Sequence, residues 1–224
     1  MRTLLFDIDG TLLLTNQGGA GAFEQALTEE FSLPEPSINV SFAGRTDRSL
    51  LAQLLTINDL PETAENVRRL QQRYVSVFPN VLRQRGGTVL PGVRDLLAKL
   101  HDEPRVRICV MTGNLQQTGE HKLAHFDLLP YVQWISGGEF DSHRDDLARR
   151  TATIIQDRHG TQSLHNVIVI GDTTADVRCG HAIGARVLAV CTGGDNHADL
   201  QTESPMAILP DLSNVDQVCD LLLT

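Results

Sequence analysis

The chain has 224 residues, of which 41% are hydrophobic, and carries 19 Lys and Arg against 28 Asp and Glu. That length supports one large domain, or a core with a smaller insert. The net charge of −9 argues against a nucleic-acid surface or an anionic membrane as partner, since both would repel the protein at long range.

No stretch approaches the roughly 18 consecutive apolar residues that a bilayer-spanning helix needs, and the first five residues are too short for the apolar part of a signal peptide. Cys109, Cys179, Cys191 and Cys219 are widely spaced and form no C-x-x-C pair, so buried free thiols in a reducing cytoplasm are expected. The expected partner is a small molecule, with no nucleic acid and no membrane. Lysine occurs only at Lys99 and Lys122.

The first element is the apolar run RTLLFDI at 2–8, which reads as a strand buried on both faces. From about 16 to 87 no convincing strand appears. Helical spacing takes over at Phe23, Ala26, Leu27 and Phe31, then at Leu50, Leu51, Leu54 and Leu55, and again at Val67, Leu70, Tyr74, Val77 and Phe78. Gly18-Gly19 and Gly86-Gly87 flank this section and suit a hinge. Beyond it, short β-rich runs at 106–112, 132–136, 166–172 and 185–193 alternate with helical patterns at 92–101, 114–127, 145–158 and 174–183. The expected fold is α/β: a Rossmann-like, doubly wound parallel sheet formed by 1–15 and 88–224, with an all-helical insert at 16–87.

The notable polar residues outside the insert fall where expected strands end, which is where open α/β sheets bind ligands. Asp7 and Asp9 end the first strand, Thr112-Gly113-Asn114 follows the second, and Gly171-Asp172 ends the fourth, with Asp176 beyond it. In extended backbone, residues i and i+2 point the same way, so Asp7 and Asp9 can face one pocket. At about 4 Å each pair of these carboxylates would repel by about 4 kcal/mol at an effective dielectric near 20, so the cluster calls for a cation. Oxygen ligands without imidazole or thiolate favour a hard divalent ion, and a phosphate co-ligand favours Mg²⁺. Asp7 is then the candidate nucleophile toward phosphorus, and Asp9 the acid and base. Thr112 and the backbone N–H groups of Gly113 and Asn114 would hold phosphoryl oxygens.

These residues resemble the motifs of the haloacid dehalogenase superfamily: D-x-D-G-T in FDIDGTL, the threonine after a hydrophobic strand in CVMTGN, and G-D-x-x-x-D at 171–176. The likeness covers nearly the whole chain and includes a helical cap between the first and second motifs, as in phosphoglycolate-phosphatase-like members. It implies a metal held by the Asp7 carboxylate, the Asp9 main-chain carbonyl and Asp172, with Asp176 either a further ligand or a brace for the basic residue. The family's third motif is commonly a lysine followed by proline, and no K-P occurs here. Arg144 is chosen for that role because it lies beyond the third strand and before a helix; Arg149 and Lys122 are the alternatives. Arginine keeps the charge but changes the geometry. His143 beside it reads as a solvated loop residue.

Within the insert, FAGRTDRSL at 42–50 resembles the loop that such caps project toward substrate. Arg45 and Thr46 are therefore candidate substrate contacts, with Arg45 reading a carboxylate or phosphate. Thr46 or Asp47 equally suits the N-cap of the next helix. The expected activity is Mg²⁺-dependent hydrolysis of a small phosphomonoester metabolite, phosphoglycolate-like, through an aspartyl-phosphate on Asp7. The presence of Asp9 disfavours carbon-halide chemistry, and the absence of lysine from residues 1–98 disfavours a Schiff-base phosphonatase. A sugar-phosphate mutase on the same core and a noncatalytic phosphate-binding regulatory protein are the alternatives.

Overall fold

The computed structural model describes residues 1–224. Strand β1 (Arg2–Phe6) leads through a tight turn to the short β2 (Leu13–Leu14), and three helices follow: α1 (Gly18–Phe31), α2 (Asp47–Ile57) and α3 (Ala64–Arg85). The chain returns through β3 (Thr88–Val89) and continues as α4 (Val93–His101), β4 (Val106–Met111), α5 (Gln116–His125), β5 (Ile135–Ser136) and α6 (Arg144–His159). It ends with β6 (Val167–Gly171), α7 (Thr174–Ala182), β7 (Arg186–Val190), α8 (His197–Thr202), β8 (Ala207–Leu209) and α9 (Val215–Leu223).

Six strands form one parallel sheet in the order β5-β4-β1-β6-β7-β8. β1 is central: Leu5 lies opposite Cys109 on one side and Val169 on the other. Its side chains alternate between two cores, as strand geometry requires. Leu4, Phe6 and Ile8 join a cluster with Leu96 and Leu97 of α4 and Val218 and Leu222 of α9. Leu5 faces the opposite side, among Met111, Leu147 of α6 and Val177 of α7. Burial on both faces explains the uninterrupted apolar run, each such side chain being worth about 1.5–3 kcal/mol.

From β1 the chain builds outward through β4 and β5, then crosses to β6 on the other side of β1. The order therefore reverses between β1 and β6, which opens a crevice at their C-terminal ends.

Helices α1–α3 enclose an apolar cluster of their own, built on Phe23, Leu27, Leu51, Leu54, Leu70 and Phe78. Phe23 stacks on Tyr74 with ring centroids 3.8 Å apart. Leu115, just before α5, inserts into this cluster. At the base of the insert β2 and β3 pair antiparallel.

The two glycine pairs take different places in the backbone. Gly86 has a φ of 66°, but Gly18 and Gly19 lie inside the first turn of α1, and the outgoing chain turns instead at Asn16 (φ 46°) and Gln17 (φ 61°). Asparagine visits the left-handed region with little strain, and the Gly18 N–H is already bonded to the Thr15 carbonyl at 2.8 Å.

The strand expected over 132–136 narrows to Ile135–Ser136, although Gln133 and Trp134 still bond to the backbone of β4. The one expected over 185–193 stops at Val190, where the chain leaves the sheet to wrap Asp172.

Candidate active site

The crevice at the sheet's switch point is covered by the helical insert and encloses a cavity of about 530 Å³. Asp7, Asp9, Thr112, Gly113, Asn114, Arg144 and Asp172 all line it. Asp7 prolongs β1, its N–H bonded to the Ile170 carbonyl at 2.9 Å. The chain then turns sharply, with Leu12 and Leu13 N–H both reaching the Ile8 carbonyl. Gly10, at φ 83°, makes that departure possible, since a Cβ there would strike the Asp172 carboxylate.

Asp172 is held from both sides. Its Oδ1 accepts from the Thr11 hydroxyl at 3.0 Å, and its Oδ2 from the Gly194 N–H at 2.7 Å. Burial, with Asp176 and Asp7 nearby, pushes the Asp172 carboxyl up to about 8. Burial also raises Asp7 to about 7, against the pull of Arg144, with Asp176 and Asp9 adding to the rise.

Arg144, the first residue of α6, is buried between two carboxylates: it pairs with Asp176 and sits 3.6 Å from Asp7 Oδ1. Burial works against its charge, but Asp176 and Asp7 outweigh that and raise its pKa. Asp176 has no oxygen to spare. One takes Arg144, and the other accepts from the Thr173 N–H at 3.1 Å and hydroxyl at 2.7 Å in the capping box that starts α7.

Oxygens of Asp7, Asp172 and Asp176 lie within 4.8 Å of one another. With Asp176 spent on Arg144 and Thr173, the donors left for a cation are the Asp7 and Asp172 carboxylates. Asp7 Oδ1 is buried with no hydrogen-bond donor, an arrangement that disfavours the bare carboxylate and suits a hard divalent ion.

The Asp9 carboxylate lines the same cavity but is tied to other partners. Lys122 Nζ donates to Asp9 Oδ1 at 2.7 Å, to Asp9 Oδ2 at 2.6 Å and to Asn114 Oδ1 at 2.7 Å. Asn114 Nδ2 in turn donates to Asp9 Oδ2 and to Thr112 Oγ1, both at 2.7 Å. Lys122 is therefore an anchor for Asp9, while Arg144 stands beside Asp7. Arg149 pairs with Asp146 on the surface, and His143 is exposed.

Arg45 is directed elsewhere than toward Asp7. Its guanidinium donates to the Ser49 hydroxyl and carbonyl and to Gln53, which line a separate polar groove. Thr46 caps α2 by accepting from the Ser49 N–H.

The sequence does not announce the roles of three groups. Asp47, the first residue of α2, donates its N–H to the Gly113 carbonyl at 2.7 Å and accepts from the Leu115 N–H at 2.8 Å, so it clasps the insert to the threonine turn. Thr11 steadies Asp172. Lys122, an alternative to Arg144 on the sequence, instead anchors Asp9. Its signal was a charged residue on the buried face of α5, in line with Leu115, Thr118 and Gly119 at helical spacing.

A family model described as "Haloacid dehalogenase-like hydrolase" matches residues 4–190. A phosphoglycolate phosphatase of Caulobacter vibrioides is 26% identical, with 99% of this chain and 92% of that protein covered. Another from Cereibacter sphaeroides is 27% identical, covering 99% and 98%. In structure, a hydrolase from Pseudomonas syringae superimposes with a TM-score of 0.71 at 19% identity, over 99% of both chains. With the family match running from β1 to the end of β7, the chain belongs to the haloacid dehalogenase-like hydrolase family.

Proposed function

We propose that the protein is a Mg²⁺-dependent phosphomonoester hydrolase that works through a phosphoryl group carried on Asp7. The observation that carries the reading is the unpartnered Asp7 carboxylate oxygen, buried 3.6 Å from Arg144 and within reach of Asp172 on the floor of a covered cavity. Phosphatases of this family generally use Mg²⁺, and two related proteins carry the name phosphoglycolate phosphatase. A phosphomonoester of a small metabolite is accordingly the proposed substrate.

Asp7, the Asp9 carbonyl and Asp172 would hold the ion, which when bound supplies positive charge against the phosphoryl oxygens. An Asp7 oxygen attacks phosphorus as the bond to the leaving oxygen breaks, and Asp9 gives that oxygen its proton. Water then attacks the phosphorus of the acyl phosphate, giving its proton back to Asp9; inorganic phosphate leaves and Asp7 is regenerated. The buried Arg144 guanidinium, the Thr112 hydroxyl and the turn at Gly113-Asn114 steady the negative oxygens in both steps. For the proton transfers, one Asp9 oxygen exchanges Lys122 for the leaving group or water. Residues 16–87 act as a cap that excludes bulk water when closed and releases product when open.

The test is turnover of an aryl phosphate with Mg²⁺ and with chelator. Asp7→Asn should abolish metal-dependent release of phosphate, by at least about a thousandfold, while circular dichroism stays that of the wild type. Turnover at the wild-type rate in this variant would remove Asp7 as the nucleophile.

A further inference from the structure

We infer that the natural leaving group is an uncharged alcohol with an apolar face, and not one carrying a carboxylate as glycolate does. The inference rests on the phosphomonoesterase reading and concerns the part of the cavity beyond the reacting phosphoryl group.

The first argument is charge. Asp7, Asp9, Asp47 and Asp172 all line the cavity, and its cationic side chains are already engaged. The three N–H donors of Lys122 are accepted by Asp9 and Asn114. Arg144 is held by Asp176 and stands against Asp7. Arg45 turns its guanidinium out to Ser49 and Gln53, which line the neighbouring groove and not the cavity. A divalent ion and two buried cations no more than offset the carboxylates around them. The phosphoryl group then brings further negative charge, and a carboxylate on the leaving group would add another where no cation is left to meet it. Like charges brought together in a desolvated site repel strongly and weaken binding.

The second argument is the chemistry of the wall that the insert contributes. Phe23, Phe42, Leu50 and Tyr74 converge there from α1, the following loop, α2 and α3. The Phe42 ring lies 6.2 Å from Phe23, which is itself stacked on Tyr74. Of the polar side chains beside them, Thr15 and Gln17 are neutral and Asp47 is an acid. Such a wall binds carbon by burial and hydroxyls by hydrogen bonds, and offers an ionised carboxylate only desolvation. The third argument is size: about 530 Å³ falls in the range that holds ligands much larger than a two-carbon acid phosphate.

The experiment compares kcat/KM within matched pairs under saturating Mg²⁺. One pair is 2-hydroxyethyl phosphate against phosphoglycolate; the other is benzyl phosphate against 4-carboxybenzyl phosphate. Where turnover of a member is too slow to read, its competitive inhibition constant against an aryl phosphate takes its place. The neutral member of each pair should be favoured by at least about tenfold. Equal or faster handling of the carboxylate members would overturn the inference while leaving the hydrolase intact. Absence of metal-dependent turnover of the aryl phosphate itself would instead overturn the underlying reading. In Gln17→Lys, which sets a cation on the exposed rim of this wall, the preference should shrink by at least about threefold through a gain for the carboxylate members. A preference unmoved by that cation would mean that the wall does not face the leaving group, and the inference would fall.

Discussion

Lys122 places a primary ammonium in a buried position and spends all its donors on Asp9 and Asn114. Removing one partner of such a pair leaves a carboxylate without its counter-charge, a loss typically near 3–5 kcal/mol for a buried pair. Asp9 is more exposed than Lys122, so the lower end applies here. Lys122→Met should lower the unfolding midpoint and also release the Asp9 carboxylate from its fixed orientation. A residue that only stabilises the fold would slow all substrates alike. If Lys122 orients the acid and base, alkyl phosphates, whose leaving oxygens need the proton, should lose at least about tenfold more kcat than aryl phosphates. Equal losses for the two classes would reduce Lys122 to a structural role. Lys122→Arg should not restore the rate, because a planar fork cannot reproduce three bonds radiating from one nitrogen.

At the level of elements, one polar contact between insert and core is small and specific. Asp47 begins α2, yet its carboxylate serves the Leu115 N–H at the start of α5, which has no cap from its own neighbours. Burial pushes the Asp47 carboxyl up to about 6, opposed by that N–H and by Lys122. Asp47→Ala would leave the Leu115 donor unsatisfied and should cost about 1–3 kcal/mol. Amide exchange at Leu115 should accelerate while that of β1 follows only the global loss. Unchanged protection of Leu115 would show that the clasp is not limiting.

The strands around the site were legible because β1, β4 and β6 are apolar on both faces and end in Asp, Thr or Gly-Asp. Arg144 was legible from its place between the third strand and a helix. Asp47 and Lys122 were not, since their partners lie far along the chain and no local period encodes which N–H or carboxylate a buried charge will meet. β2, β3 and β8, two or three residues long, are too short for alternation to register. The outward turn falls on Asn16 and Gln17, closed by the Gly18 N–H on the Thr15 carbonyl, and α1 begins at Gly18.

Over the whole molecule, the aspartates at the sheet's tip should make the fold's stability depend on pH and, with the proposed ion, on metal together. Asp7 is raised to about 7 and Asp172 to about 8, chiefly by burial and then by the charges near them. A carboxyl whose folded value lies above its unfolded one gives stability that is complete below the unfolded value, near 3.8, and is lost as pH rises through the folded value. The metal-free protein should thus give up this contribution between about pH 4 and pH 8, in the direction opposite to ordinary salt-bridged carboxylates. A divalent ion binds the ionised forms, so it restores most where the cost is fullest. The increase in Tm caused by excess Mg²⁺ over chelator should therefore be larger at about pH 8.5 than at about pH 5.5, by roughly 5 °C or more. Asp172→Asn removes one of the two charges. Its metal-free form should fall less in Tm across that interval than the wild type, and Mg²⁺ should raise it little at either end. An increment independent of pH in the wild type, or a full Mg²⁺ response in Asp172→Asn, would mean that Asp7 and Asp172 do not hold the ion.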